Sequence, residues 1–139
     1  MIEPTNIISQ SEIQDVKNKD DFSSAKIFIT YSGKMDKESL LDYINKITKY
    51  RSTTVDKYFI AYFCYREPDL IYTHLYMRLS KPFNKKECEP FTIKGCPIDI
   101  NVDYSDKSLI EIILFLYLND LEYHSNLDFV NPLLDLNAN

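Results

Sequence analysis

Apolar and polar positions alternate along this chain in two distinct periods. KIFITYS, Lys26 to Ser32, is short, β-branched and aromatic, which predicts a strand. Asp36 follows as an N-cap for a helix running to about Tyr50. Within it Leu40, Leu41, Ile44 and Ile47 recur at helical spacing and predict one buried face. KYFIAYFCY, Lys57 to Tyr65, is apolar on both faces and predicts a central strand. REPDLIY, Arg66 to Tyr72, reads as a polar hairpin loop, and THLYMRLSKPF, Thr73 to Phe83, as the strand pairing back. Lys85 to Pro97 is loop-like, with Pro90 and Pro97. PIDINVDY, Pro97 to Tyr104, alternates Ile98, Ile100 and Val102 with polar residues, as a strand with one wet face does.

Ser105 or Asp106 then caps a second helix, roughly Lys107 to Leu118. This helix is apolar nearly all round. Leu109, Ile112, Ile113 and Leu116 form one face, while Ile110, Leu114 and Tyr117 form another. Such a helix needs cover on two sides. The segment Leu127 to Leu136 is apolar enough to provide it, and a second copy docking through Ile110, Leu114 and Tyr117 is the alternative. The order β-α-β-β, an irregular region, β, then α predicts an α+β fold: one antiparallel sheet with helices packed on one side. Residues 1–24 read as a polar arm and residues 25–139 as a single domain with a covering tail.

Composition narrows the chemistry. The chain has 139 residues, a formal net charge of −5, and only 2 Gly. Gly33 and Gly95 stand far apart, so glycine-rich loops that cradle the phosphates of a nucleotide cofactor are excluded. The net charge hides an asymmetry. Residues 26–98 carry 13 basic and 8 acidic groups, whereas residues 99–139 carry 1 basic and 8 acidic. A basic middle suits an anionic partner. Arg78, Lys81, Lys85, Lys86 and Lys94, interleaved with Phe83 and Phe91, form a candidate single-strand-binding patch, since bases stack on rings while cations hold phosphates. Cys64, Cys88 and Cys96 match no metal or redox template and read as reduced thiols, with Cys64 buried in its strand. The start shows no basic, apolar leader, and the run Leu109–Leu118 is about half a membrane span. The expectation is an intracellular protein without membrane contact.

Three segments, in order, resemble the N-terminal endonuclease domain of the replication initiators (Rep proteins) of circular single-stranded DNA viruses and related plasmids, members of the HUH nucleases. Phe28-Ile29-Thr30-Tyr31 matches the first motif, an aromatic-x-Thr-Tyr strand. Thr73-His74-Leu75-Tyr76 corresponds to the second, a strand with Pro, His, an apolar residue, then His or Gln, following a hairpin that also supplies a Glu, and keeps its His and apolar residue. Phe115 to Asp120 lies where the third, a helical Tyr-x-x-Lys motif closed by Gly, is expected. The resemblance covers about residues 25–125. It implies a HUH-fold domain of viral or mobile-element origin that acts on single-stranded DNA, in the host cytoplasm or nucleus. In that family the imidazoles and the Glu hold Mg or Mn against the scissile phosphate, and the tyrosine attacks the phosphorus.

This chain departs from the pattern at the reacting positions. Tyr76 replaces the second metal ligand. Phe63, Cys64 and Tyr65 stand where the Glu is expected, with Glu67 displaced onto the loop. Phe115 stands at the nucleophile and Leu118 at the lysine. Tyr117 is two residues off, about 200° round the helix. Tyr104-Ser105-Asp106-Lys107 offers an alternative Tyr-x-x-Lys just before the helix. The preferred expectation is a decayed nuclease domain that binds DNA or a protein and needs no cofactor. The alternatives are an active nicking enzyme using His74 and Glu67 for metal with Tyr117 or Tyr104, and a dimeric interaction protein.

Overall fold

The computed structural model describes residues 22–65, 70–94 and 96–129, with the side chains of residues 97 and 98 excepted. Its elements are β1 (Ser23–Ser32), α1 (Lys37–Tyr50), β2 (Val55–Cys64), β3 (Ile71–Asn84), a 3₁₀ turn (Glu89–Phe91), β4 (Pro97–Asn101), α2 (Asp106–Asn119) and β5 (Glu122–Ser125). The strands form one antiparallel sheet in the order β4-β1-β3-β2-β5. The α+β class read from the sequence is the observed one.

Both helices begin as the sequence predicts. Asp36 accepts a hydrogen bond from the backbone N–H of Ser39 at 3.0 Å, and Ser105 from that of Ser108 at 3.1 Å. Each satisfies a donor that the first helical turn leaves without a backbone partner. Gly33, at φ +89°, takes the left-handed conformation that lets β1 turn into α1. Thr73 closes that turn by donating to the Gly33 carbonyl and accepting from the Met35 N–H.

The helices lie on opposite faces of the sheet, which corrects the expectation that they share one side. Successive side chains of a strand point to opposite faces. Ile27, Ile29 and Tyr31 of β1, Ile60 and Tyr62 of β2, and Leu75 and Met77 of β3 therefore meet Leu40 and Ile44 of α1. Phe28, Phe59, Ala61 and Tyr76 point the other way and meet Leu109, Ile113 and Leu116 of α2. A strand apolar on both faces, flanked by a helix on each, buries both sets. The segment after β5 adds Leu127, buried on the α2 side, and Phe129, whose ring stacks on Tyr117 at 4.0 Å. Part of the cover that α2 requires thus comes from the chain itself. The remainder of that tail and the N-terminal arm up to residue 21 lie outside the described residues.

Within the loop-like stretch after β3, the 3₁₀ turn is tied to the rest of the fold. Tyr31 donates from its buried hydroxyl to the Phe91 carbonyl at 2.8 Å, and Tyr43 donates to that of Pro90 at 2.7 Å. Phe83 and Phe91 stack at 5.8 Å inside the α1-side core. Cys88, not Cys64, is the buried thiol, and burial pushes its pKa up to about 12. No described helix is long and apolar enough to cross a membrane.

Candidate functional site

Strand register builds the site. On the α2 face of the sheet, three cross-strand rows follow one another: Thr30–His74–Ala61, then Phe28–Tyr76–Phe59, then Lys26–Arg78–Lys57. The first row opens into a cavity of about 380 Å³ between sheet and helix. Phe28, Thr30 and His74 form its floor, Tyr65 from the end of β2 and Tyr104 from the approach to α2 form its sides, and Glu111, Ile112, Phe115 and Leu116 of α2 form its roof.

His74 is the chemical centre of this cavity and is 5% exposed. Its Nδ1 pairs with the Thr30 hydroxyl at 3.0 Å and its Nε2 with the Tyr65 hydroxyl at 2.6 Å. The Phe28 ring stacks against the imidazole at 5.7 Å, and Tyr65 meets it edge-on at the same distance. Burial pushes the imidazole pKa down to about 4, so the ring is neutral at neutral pH, one nitrogen donating and the other accepting. Burial also raises the Tyr65 and Tyr104 hydroxyls. Tyr72 adds to it at Tyr65, and Asp99 and Asp103 add to it at Tyr104. That shift is opposite to the one that activates a tyrosine as a nucleophile.

A divalent metal does not fit the described residues. Both imidazole nitrogens are engaged by hydroxyls, and Tyr65, one of the three residues at the expected Glu position, fills the space beside Nε2. Tyr76 is fully buried in the core beneath α2. Among the described residues no three His, Cys, Asp or Glu side chains are grouped to hold an ion. Glu67 lies outside the described residues. Hard cations take six or more oxygen-rich ligands, and this cavity offers a neutral imidazole, the Thr30 hydroxyl, two phenols and a single carboxylate, Glu111.

The other sequence-predicted residues divide. Phe115 and Tyr104 come to the His74 cavity, whereas Tyr117 does not line it and packs with Tyr123 and Phe129 instead. Ile110 and Tyr117 pack against the α2-side core, and Leu114 is half-buried beside them. The expected basic-aromatic patch does not form as a unit. Phe83 and Phe91 are core residues at 3% and 0% exposure and cannot stack on bases, because the turn that holds Phe91 is tied inward by Tyr31. Lys81, Lys85 and Lys86 are exposed, while Lys94 lines a second cavity with Met35, Asp36 and Tyr43 at the start of α1. Arg78 instead joins Lys26 and Lys57 on the α2 face, where Lys26 Nζ lies 2.9 Å from Asp106.

Sequence reasoning missed three participants: Tyr65 as the hydroxyl bound to His74, Glu111 on the cavity wall, and Lys57 in the cation row. The pairing of Lys57 with Arg78 follows from register, which no single-strand pattern carries. Glu111 had a signal, as the one carboxylate inside the apolar helix. No protein-family model matches the chain, and no curated protein matches it.

Proposed function

We propose that this domain is a binding module for single-stranded nucleic acid, of HUH descent, whose nicking chemistry has been lost. The observation that carries the reading is convergence. The three segments that resemble Rep motifs, around Phe28–Thr30, His74 and Phe115, line one cavity although they are remote in sequence. The groups that would perform the chemistry are replaced there by aromatic or hydrogen-bonded side chains: Phe115 at the nucleophile, Tyr65 against the imidazole. What remains suits recognition. Exposed rings at the cavity mouth offer stacking surfaces, with Phe115 at 53% and Tyr65 at 51% exposure.

The test is a labelled single strand incubated with the protein and Mn²⁺ at low salt. The reading expects a retarded complex and intact DNA. Metal-dependent cleavage that disappears in His74→Ala would establish the active-enzyme alternative. A second reading, docking of a protein or of a second copy, is favoured by Leu118 and Leu121, which stand 75% and 61% exposed at the end of α2. Light scattering that shows a stable dimer, with no gel shift at low salt, would favour it over the first.

A further inference from the structure

The lining of the His74 cavity specifies its occupant more narrowly than "nucleic acid". The Tyr65–His74–Thr30 chain holds three protons that can be donated and uses two of them in its internal bonds. With the imidazole proton on Nδ1, that nitrogen donates to Thr30, Nε2 accepts from Tyr65, and the Thr30 proton is left over. With the proton on Nε2, it donates to Tyr65, Nδ1 accepts from Thr30, and the Tyr65 proton is left over. Either tautomer leaves one hydroxyl donor at an end of the chain.

Glu111 on the helical wall supplies the complementary acceptor. Its carboxylate, with no cation among the described residues that line this cavity, disfavours phosphate and other anions there. The surfaces between the two are flat or apolar: the Phe28 and Tyr104 rings, Phe115 and Ile112. A volume of about 380 Å³ sits at the small end for ligand pockets, so one ring system fits and a string of nucleotides does not.

We propose that this cavity binds a single uncharged planar nitrogen heterocycle, carrying an N–H donor for Glu111 and an acceptor for the relay hydroxyl, as an unstacked nucleobase does. The choice of a nucleobase as the carrier of that edge rests on the single-strand-binding reading above. The phosphates would then stay outside.

The experiment is an NMR titration of the full chain that follows the His74 and Phe115 ring signals. The probes are free deoxycytidine and deoxyadenosine, inorganic phosphate, and a twelve-nucleotide oligo-dC strand with and without abasic positions. The expected result is that both nucleosides at millimolar concentration shift the two rings and phosphate does not. Glu111→Ala, an exposed position that tolerates truncation, should weaken the nucleosides by about tenfold. Oligo-dC should shift the same rings more strongly than its abasic counterpart. If only the free nucleosides act, the cavity proposal stands and the single-strand reading falls. If oligo-dC binds while both rings stay silent, the cavity proposal is overturned and the single-strand reading survives. Silence of both rings toward every nucleoside and strand, or an equal response to phosphate, also overturns it.

Discussion

Acidification should destabilise this domain through His74. In the unfolded chain the imidazole takes up its proton near its ordinary pKa of 6.5, whereas in the fold burial holds protonation off until about 4. Between those values the unfolded state binds more protons, so stability falls as pH falls. Above about 6.5 both states are neutral and His74 contributes nothing to the slope. Below about 4 both are protonated and the loss levels off. The gap of about 2.5 pH units corresponds to about 3 kcal/mol in full, of which about 2 kcal/mol is already lost at pH 5. Small domains hold only about 5–15 kcal/mol, so the effect is large. The assay is urea unfolding at pH 7 and pH 5 for the wild type and for His74→Gln, which keeps a donor and an acceptor but does not titrate. Asp36, held below the usual carboxylate range by Ser39, also titrates in acid, but both proteins share it. The wild type should lose about 2 kcal/mol more than the variant. Equal losses, or a His74 ring titrating near 6.5 by NMR, would refute the reasoning.

Other expectations follow from the same contacts. Tyr65→Phe leaves a buried imidazole nitrogen without its hydroxyl and should cost about 1–2 kcal/mol in urea unfolding. Phe91→Ala should cost about 3–5 kcal/mol, because the ring is core; a variant that folds as stably as the wild type yet loses single-strand binding would restore Phe91 to the binding surface. Lys85→Ala and Lys86→Ala together should leave stability within about 0.5 kcal/mol, and each should lower the salt dependence of single-strand binding by about one unit only if it touches a phosphate. Tyr117→Phe keeps the ring that stacks on Phe129 and should leave DNA binding unchanged, measured by fluorescence anisotropy.

The elements were legible because periodicity and caps are local. Asp36 and Ser105 mark the helix starts, and Leu40 with Ile44 marks the buried stripe. The side on which each helix packs was not, although the clue was present. KYFIAYFCY is apolar on both faces, and such a strand is stable only when both are covered; placing both helices on one side left Phe59 and Ala61 without a partner. The site was half legible for a similar reason. His74 stood out because it fills the histidine position of the second motif, and Phe115 because it interrupts the third. Tyr65 sat among the residues at the expected Glu position, but its bond to His74 joins residues on neighbouring segments, a contact that no single-strand pattern carries. The aromatic-basic pattern around Phe83 and Phe91 misled because alternating rings and cations look alike whether the rings face water or the core. Tyr31, sixty residues before Phe91, decides between them by pulling that turn inward.

The central claim is the proposal that this domain binds single-stranded DNA and does not cut it. Its most direct measurement is a single reaction containing end-labelled single-stranded DNA, Mn²⁺ and the protein, resolved once on a native gel and once on a denaturing gel. The account predicts a retarded band on the first and full-length DNA, with no protein-linked species, on the second. A shortened strand or a covalent DNA–protein adduct that requires both Mn²⁺ and His74 would contradict it.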